Sequence, residues 1–172
     1  SLFVMRFVGA PFVFSFQQVG TNCGLIGKNA AVEVDGAAYW MSENGFFRYT
    51  GKLESLACLV EDYVYDDINT VPKNHIYAGL NNLFGEVTWF YPGSGAASNN
   101  RSVTYNYMDS TVERPIWTTS SLARSTWSDS HIFGKPHGTE YDADATSDAT
   151  VGNTEGVTTY YEHETGTNQI KA

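Results

Sequence analysis

Carboxylates are the residues of this sequence with the widest choice of chemistry. Hydrolysis of a glycosidic bond needs two of them across a cleft, one desolvated enough to keep its proton. Asp109, Glu113 and Asp129 are the candidates, but each stands beside turn residues, where an exposed structural carboxylate is expected. The run DADATSD, Asp142 to Asp148, alternates acids as a calcium loop does. It lacks the central glycine and the terminal bidentate glutamate of such a loop. The four histidines, His75, His131, His137 and His163, stand singly, without zinc spacing. His163, in YYEHETG, lies between Glu162 and Glu164, which would raise its pKa if close in space. A solvated polar strand end is expected there. Ser94 sits in PGSGA rather than in a nucleophile elbow, and no phosphate-cradling glycine loop occurs. Cys23 and Cys58 are far apart and outside any CxxC pair, so they read as buried free thiols. No catalytic, cofactor or metal site is expected, and no enzyme.

The elements carrying these residues belong to a β protein. Of 172 residues, 15% are aromatic, with eleven Tyr and ten Phe, types that favour strands and large contact surfaces. The hydrophobic share is 42% and the charged share 17%, which makes the chain globular, and its length suits one domain with a sizeable core. The formal charge of −9 opposes ordinary gripping of nucleic acid, but not a surface past which DNA slides. No apolar run approaches the ~20 residues of a spanning helix. The opening LFVMRFVGAPFVFSF is interrupted by Arg6 and Pro11 and reads as strand, not signal peptide. A start at Ser1 before an apolar run suggests a piece of a longer or processed polypeptide.

Leu2–Val8 and Phe12–Phe16 form an expected hairpin, and residues 31–50 a three-stranded meander turned by Asp35-Gly36. In SLACLVEDYVYDDI, Leu56, Leu59, Val60, Tyr63, Val64 and Ile68 fall at helical spacing, with acids on the opposite face. Strands resume at His75–Leu80, Glu86–Tyr91, Arg101–Tyr107 and Val112–Thr118, the last edge-tolerant because Pro115 donates no hydrogen bond. Val87, Trp89 and Tyr91, with Val103, Tyr105 and Tyr107, share a buried face; Glu86, Thr88, Ser102, Thr104 and Asn106 point away. Pro92–Asn100 reads as an exposed connector, and 141–156 as a long flexible one. Arg124–Trp127 and Val157–Glu162 supply further strands. Tyr160 and Tyr161 are adjacent, so one should face outward.

Four antiparallel strands in 74–118 match one propeller blade, and 31–50 most of another. The expected fold is all-β, with three to four β-propeller-like antiparallel blades and one short inserted helix, as a single domain over 1–172. A closed propeller takes at least about four blades, so the chain is either minimal or part of a larger polypeptide or ring. A sandwich is the competing architecture.

The run AAVEVDGAAYWMSENGFFRYTG, Ala30 to Gly51, resembles the blade signature of short-tailed phage proteins: the packaged-DNA stabilization proteins and the tail nozzle, or tail tubular protein B, family. The matching positions are Val32 and Val34, Tyr39 to Met41, Gly45 to Phe47, and Tyr49 to Gly51. The helix ending in VYDDIN is similar to theirs, as is IYAGLNNLFGEVTWFYP with SVTYNY and a later Trp117. The likeness covers roughly residues 20–130; the order of segments is specific, no single motif is. YYEHETG is similar to marine-phage structural proteins. The resemblance implies a virion protein of the tail nozzle or head–tail connector, assembled in the host cytoplasm without a membrane. It implies homo-oligomeric rings, commonly hexamers, against neighbouring tail proteins, lining or plugging a channel through which phage DNA passes nonspecifically. It implies no catalytic site. Family members are several times longer. A carbohydrate- or receptor-binding, or glycan-cleaving, propeller module is the alternative.

Overall fold

The computed structural model describes residues 1–129, 134–142 and 157–163. It is mostly strand, in four antiparallel sheets. Strands β1 (Leu2–Phe7) and β2 (Phe14–Gly20) make a hairpin. Strands β3 (Ala31–Val34), β4 (Ala37–Ser42), β5 (Gly45–Tyr49) and β6 (Leu53–Leu56) follow as a meander. The expected three strands are therefore four: the chain turns once more at Gly51, which has φ 96°. Asp35 and Gly36 both take positive φ, 52° and 77°, as a tight two-residue hairpin turn requires. Glu33 caps that turn by accepting the Gly36 N–H at 2.7 Å.

The helix α1 covers only Glu61–Asp67, and Leu56 ends β6 instead of starting it. Only Val64 of α1 is fully buried, and Leu59 and Tyr63 are exposed, so much of the apolar periodicity never faces a core. Glu61 and Asp62 in the first turn suit the positive end of the helix.

The second meander holds β7 (Tyr77–Asn81), β8 (Glu86–Tyr91), β9 (Arg101–Asn106) and β10 (Trp117–Ser120). The expected strand from Val112 starts five residues late, leaving Pro115 in the preceding loop. A third sheet holds β11 (Thr126–Ser128), β12 (His137–Asp142) and β13 (Val157–Glu162). Tyr141 and Asp142 thus belong to a strand rather than a connector; the rest of 141–156 lies outside the described residues.

One aromatic seam joins the first two meanders. Phe46 of β5 lies 5.0 Å from Trp89 and 4.8 Å from Trp117, and Tyr105 lies 4.7 Å from Trp117. Trp89 is fully buried and donates to Ala30 O at 3.1 Å, tying β8 to the entry of β3. Burying such rings between sheets contributes about 1.5–3 kcal/mol each. The other face of the second meander is not simply polar. Phe90 is fully buried against Trp127 of β11, with ring centroids 5.6 Å apart. Ser102, opposite Phe90 in the β8–β9 register, is buried on that face too. Gly79 makes room: a Cβ there would stand 2.7 Å from Trp127 Cγ.

The opening strands of the three meanders lie side by side. Ala78 N donates to Asn29 O at 2.8 Å, and Asn29 bridges Tyr77 in parallel. On the other side Trp127 Nε1 donates to Leu80 O at 2.7 Å, and Asn82 N to Asp129 Oδ1 at 3.2 Å.

Candidate functional site

Loops that lead into those opening strands enclose a polar pocket of about 270 Å³. Lys28 and Asn29 precede β3, Asn74 and His75 precede β7, and Ser125 precedes β11. Tyr141 of β12 closes the side, and Ser98 and Asn99 come from the loop between β8 and β9.

The pocket wall is held by hydrogen bonds. Asn99, 4% exposed, donates through Nδ2 to His75 O at 2.7 Å and to Arg124 O at 2.9 Å. Two carbonyl acceptors fix which end of the amide is nitrogen. His75 Nδ1 is 3.0 Å from Ala97 O, so that nitrogen carries the hydrogen and Nε2 is left for other partners. Tyr141 N donates to Ser125 Oγ at 3.0 Å. The loop Pro92–Asn100 is an exposed connector only at Ser94, Gly95 and Ala97. Pro92, Gly93 and Asn99 are buried, Ile68 bridges Gly93, and Asn69 Nδ2 donates to Ala96 O at 2.9 Å. Ser98 Oγ and Asn99 Oδ1 are buried without a protein hydrogen-bond partner.

Behind the pocket lies a second polar cluster. Arg124, 5% exposed, donates through Nε to His163 Nε2 at 3.0 Å. Its Nη1 stands 3.4 Å from Glu140 Oε2, and its guanidinium lies 3.8 Å over the Tyr161 ring. Burial, then the Arg124 charge, then His137 push the His163 pKa down to about 4. That reverses the sequence expectation. Of the flanking acids, Glu162 turns to Lys135 at 3.8 Å, and Glu164 lies outside the described residues. A neutral His163 is what lets Nε2 accept from the arginine.

The other sequence candidates stay apart from the pocket. Asp109 and Glu113 are exposed in the loop between β9 and β10. Asp129 accepts the Asn82 N–H at the margin of the third sheet. A larger cavity of about 500 Å³ near that loop is lined by one carboxylate, Glu54. Glu54 is paired to Arg48 at 2.5 Å, and the hydrogen bond and charge of Arg48 hold its pKa below the ordinary carboxylate value. His137 bonds Tyr160 through Nδ1, and Tyr160 is 43% exposed while Tyr161 is half-buried, so one of the adjacent pair does face outward. Ser94 N donates to Asp67 Oδ1 at 3.3 Å. Cys23 is buried and Cys58 half-buried, both as free thiols, and burial raises the Cys58 pKa to about 12. His131 and Ala143 to Asp148 lie outside the described residues.

Arg124 carried no signal in the sequence: a lone arginine before a short strand has no periodicity to report. The same holds for the pocket-lining asparagines, which come from separate loops. Among the described residues, no three His, Cys, Asp or Glu side chains gather as a metal site would need, and no helix is long and apolar enough to cross a membrane. The sequence matches no protein-family model and no curated protein.

Proposed function

We propose that the chain is a structural component of a phage tail nozzle or head–tail connector. In this reading its meanders are blades of a propeller-type wall, and copies of it assemble into a ring that lines or plugs the DNA exit channel. The observation that carries the reading is the packing of the three meanders. Their opening strands β3, β7 and β11 run side by side, and their faces close on one another through Phe46, Trp89 and Trp117, then through Phe90 and Trp127. Rings turned inward this way stiffen a wall. A net charge of −9 keeps such a wall from adhering to the DNA that passes it. Three blades do not close a circle, so the wall draws its remaining blades from elsewhere in the assembly.

Negative-stain microscopy of the purified protein tests this. Closed annular particles, with no sugar released from a glycan panel, are the expected result; dispersed monomers that hydrolyse a glycan would overturn it. A carbohydrate-binding module is the second reading, favoured by the polar pocket where the three meanders meet. A glycan-cleaving module has less support, since Asp109 and Glu113 are exposed in a loop rather than desolvated across a cleft.

A further inference from the structure

We infer that the pocket between the lead-ins of β3, β7 and β11 binds an acidic monosaccharide unit, a small polyhydroxylated ligand bearing one carboxylate. The size agrees: about 270 Å³ admits one sugar ring and little more. The charge is selective. In a chain with 19 acids and 10 Lys or Arg, no carboxylate among the described residues lines this pocket, while Lys28 does and has no ion-pair partner among those residues. One ammonium balances one carboxylate. It does not balance a dianionic phosphate, whose second charge would sit uncompensated in an acidic protein.

The remaining groups suit hydroxyls. Asn29 and Asn74 each offer a donor and an acceptor, and His75 keeps Nε2 available because its Nδ1–H is committed to Ala97 O. Tyr141, 41% exposed, presents an aromatic ring with a polar tip, suited to the C–H face and rim hydroxyls of a sugar. Preorganisation supports the same conclusion. Asn99 ties the β7 lead-in to the β11 lead-in, and Ser125 Oγ holds the Tyr141 backbone, so an occupant meets a wall that is already ordered. The inference does not rest on ring assembly: a monomer carries every group it uses.

The test uses the full chain, with D-glucuronate, D-glucose and inorganic phosphate as probes, in calorimetry and ligand-observed NMR. Glucuronate should bind saturably, and glucose at least about tenfold more weakly, since it lacks the charge-assisted contact. Lys28→Ala should weaken glucuronate by roughly tenfold and remove most of its advantage over glucose. Asn74→Ala, a second exposed position, should weaken both sugars. Near-ultraviolet circular dichroism confirms that each variant keeps the aromatic packing of the parent. Absence of saturable glucuronate binding, glucose binding equally well, phosphate binding more tightly than glucuronate, or indifference to Lys28→Ala would each overturn the assignment. Annular particles without sugar binding would sink the pocket and spare the ring; sugar binding by a monomer would do the reverse.

Discussion

Arg124 shows how one residue can organise a sheet. Its guanidinium is nearly covered, and burial lowers its pKa while Glu140 pulls the other way. A buried charge is tolerated only when its donors are engaged, and here His163, Glu140 and the Tyr161 ring engage them. The arrangement needs a neutral His163. A proton on Nε2 would turn the acceptor into a second donor facing a cation, with His137 nearby as a further titratable group. The sign follows from linkage: the folded pKa of about 4 lies below the ordinary 6.5, so between those values the unfolded chain binds more protons. The contribution is complete above pH 6.5 and is lost as the pH falls toward 4. Allowing for solvent screening of a half-exposed group, the loss is about 1–2 kcal/mol. Denaturant titration at pH 7 and pH 4.5 should show this difference in the parent. His163→Gln, which keeps a neutral acceptor but cannot take up the proton, should reduce it. An unchanged pH dependence in that variant would remove His163 from the account.

At the scale of elements, the joint between the second and third sheets depends on one missing side chain. Trp127 sits against Gly79 and donates to Leu80 O, so β11 lies flat on β7. A methyl at Gly79 would meet the base of the indole rather than a flexible tip. Overpacking of this kind costs about 1–3 kcal/mol, and the strain falls on the thinner sheet. Gly79→Ala should therefore speed hydrogen exchange in β11, β12 and β13 while β3 to β6 keep their protection. Uniform loss of protection would mean that the sheets unfold as one unit. This joint also marks where sequence reading stops. Alternation placed Val87, Trp89 and Val103 on a buried face, and the structure buries all three. It also sent Thr88, Ser102 and Thr104 outward, because small polar residues look solvated. Ser102 is buried and Thr88 and Thr104 half-buried, on the face where Phe90 and Gly79 meet Trp127, and a strand's own period does not register what covers it. The one expected helix is present, but shorter than its apolar spacing. Leu56, Leu59 and Tyr63 keep the spacing, but the β6 ladder claims Leu56, and Leu59 and Tyr63 are exposed among the described residues. The pocket was illegible because its groups come from five loop or strand segments that meet only through tertiary hydrogen bonds.

On the scale of the whole molecule, the hairpin of β1 and β2 is the unfinished surface. Its register places Phe3, Met5 and Phe7 on one face with Phe14 and Phe16, all exposed by 49–73%. The tip adds Val8, Phe12 and Val13, also exposed. Its base is fastened where Gly20 packs closely on Leu53 and Cys23, but the apolar face stays exposed among the described residues. That face presents on the order of 500 Å² of apolar surface, near the most that a monomer leaves uncovered. A two-stranded hairpin is marginal alone, and a surface packed on this face would stabilise it. The hairpin carries Arg6 and no acid, whereas the other 152 residues carry the whole excess of negative charge, so a second copy brought to this element would meet attraction rather than repulsion. If the ring reading holds, the hairpin of one copy packs on its neighbour. Phe7→Glu with Phe16→Glu then sets two carboxylates into the joint, where burial without partners costs several kcal/mol. The same side chains touch solvent in an isolated chain, so thermal unfolding of the monomer should move by no more than about 0.5 kcal/mol equivalent. Sedimentation analysis of the double variant should show monomers where the parent shows rings. Rings of undiminished size would place the subunit joint elsewhere and leave the hairpin to a different partner.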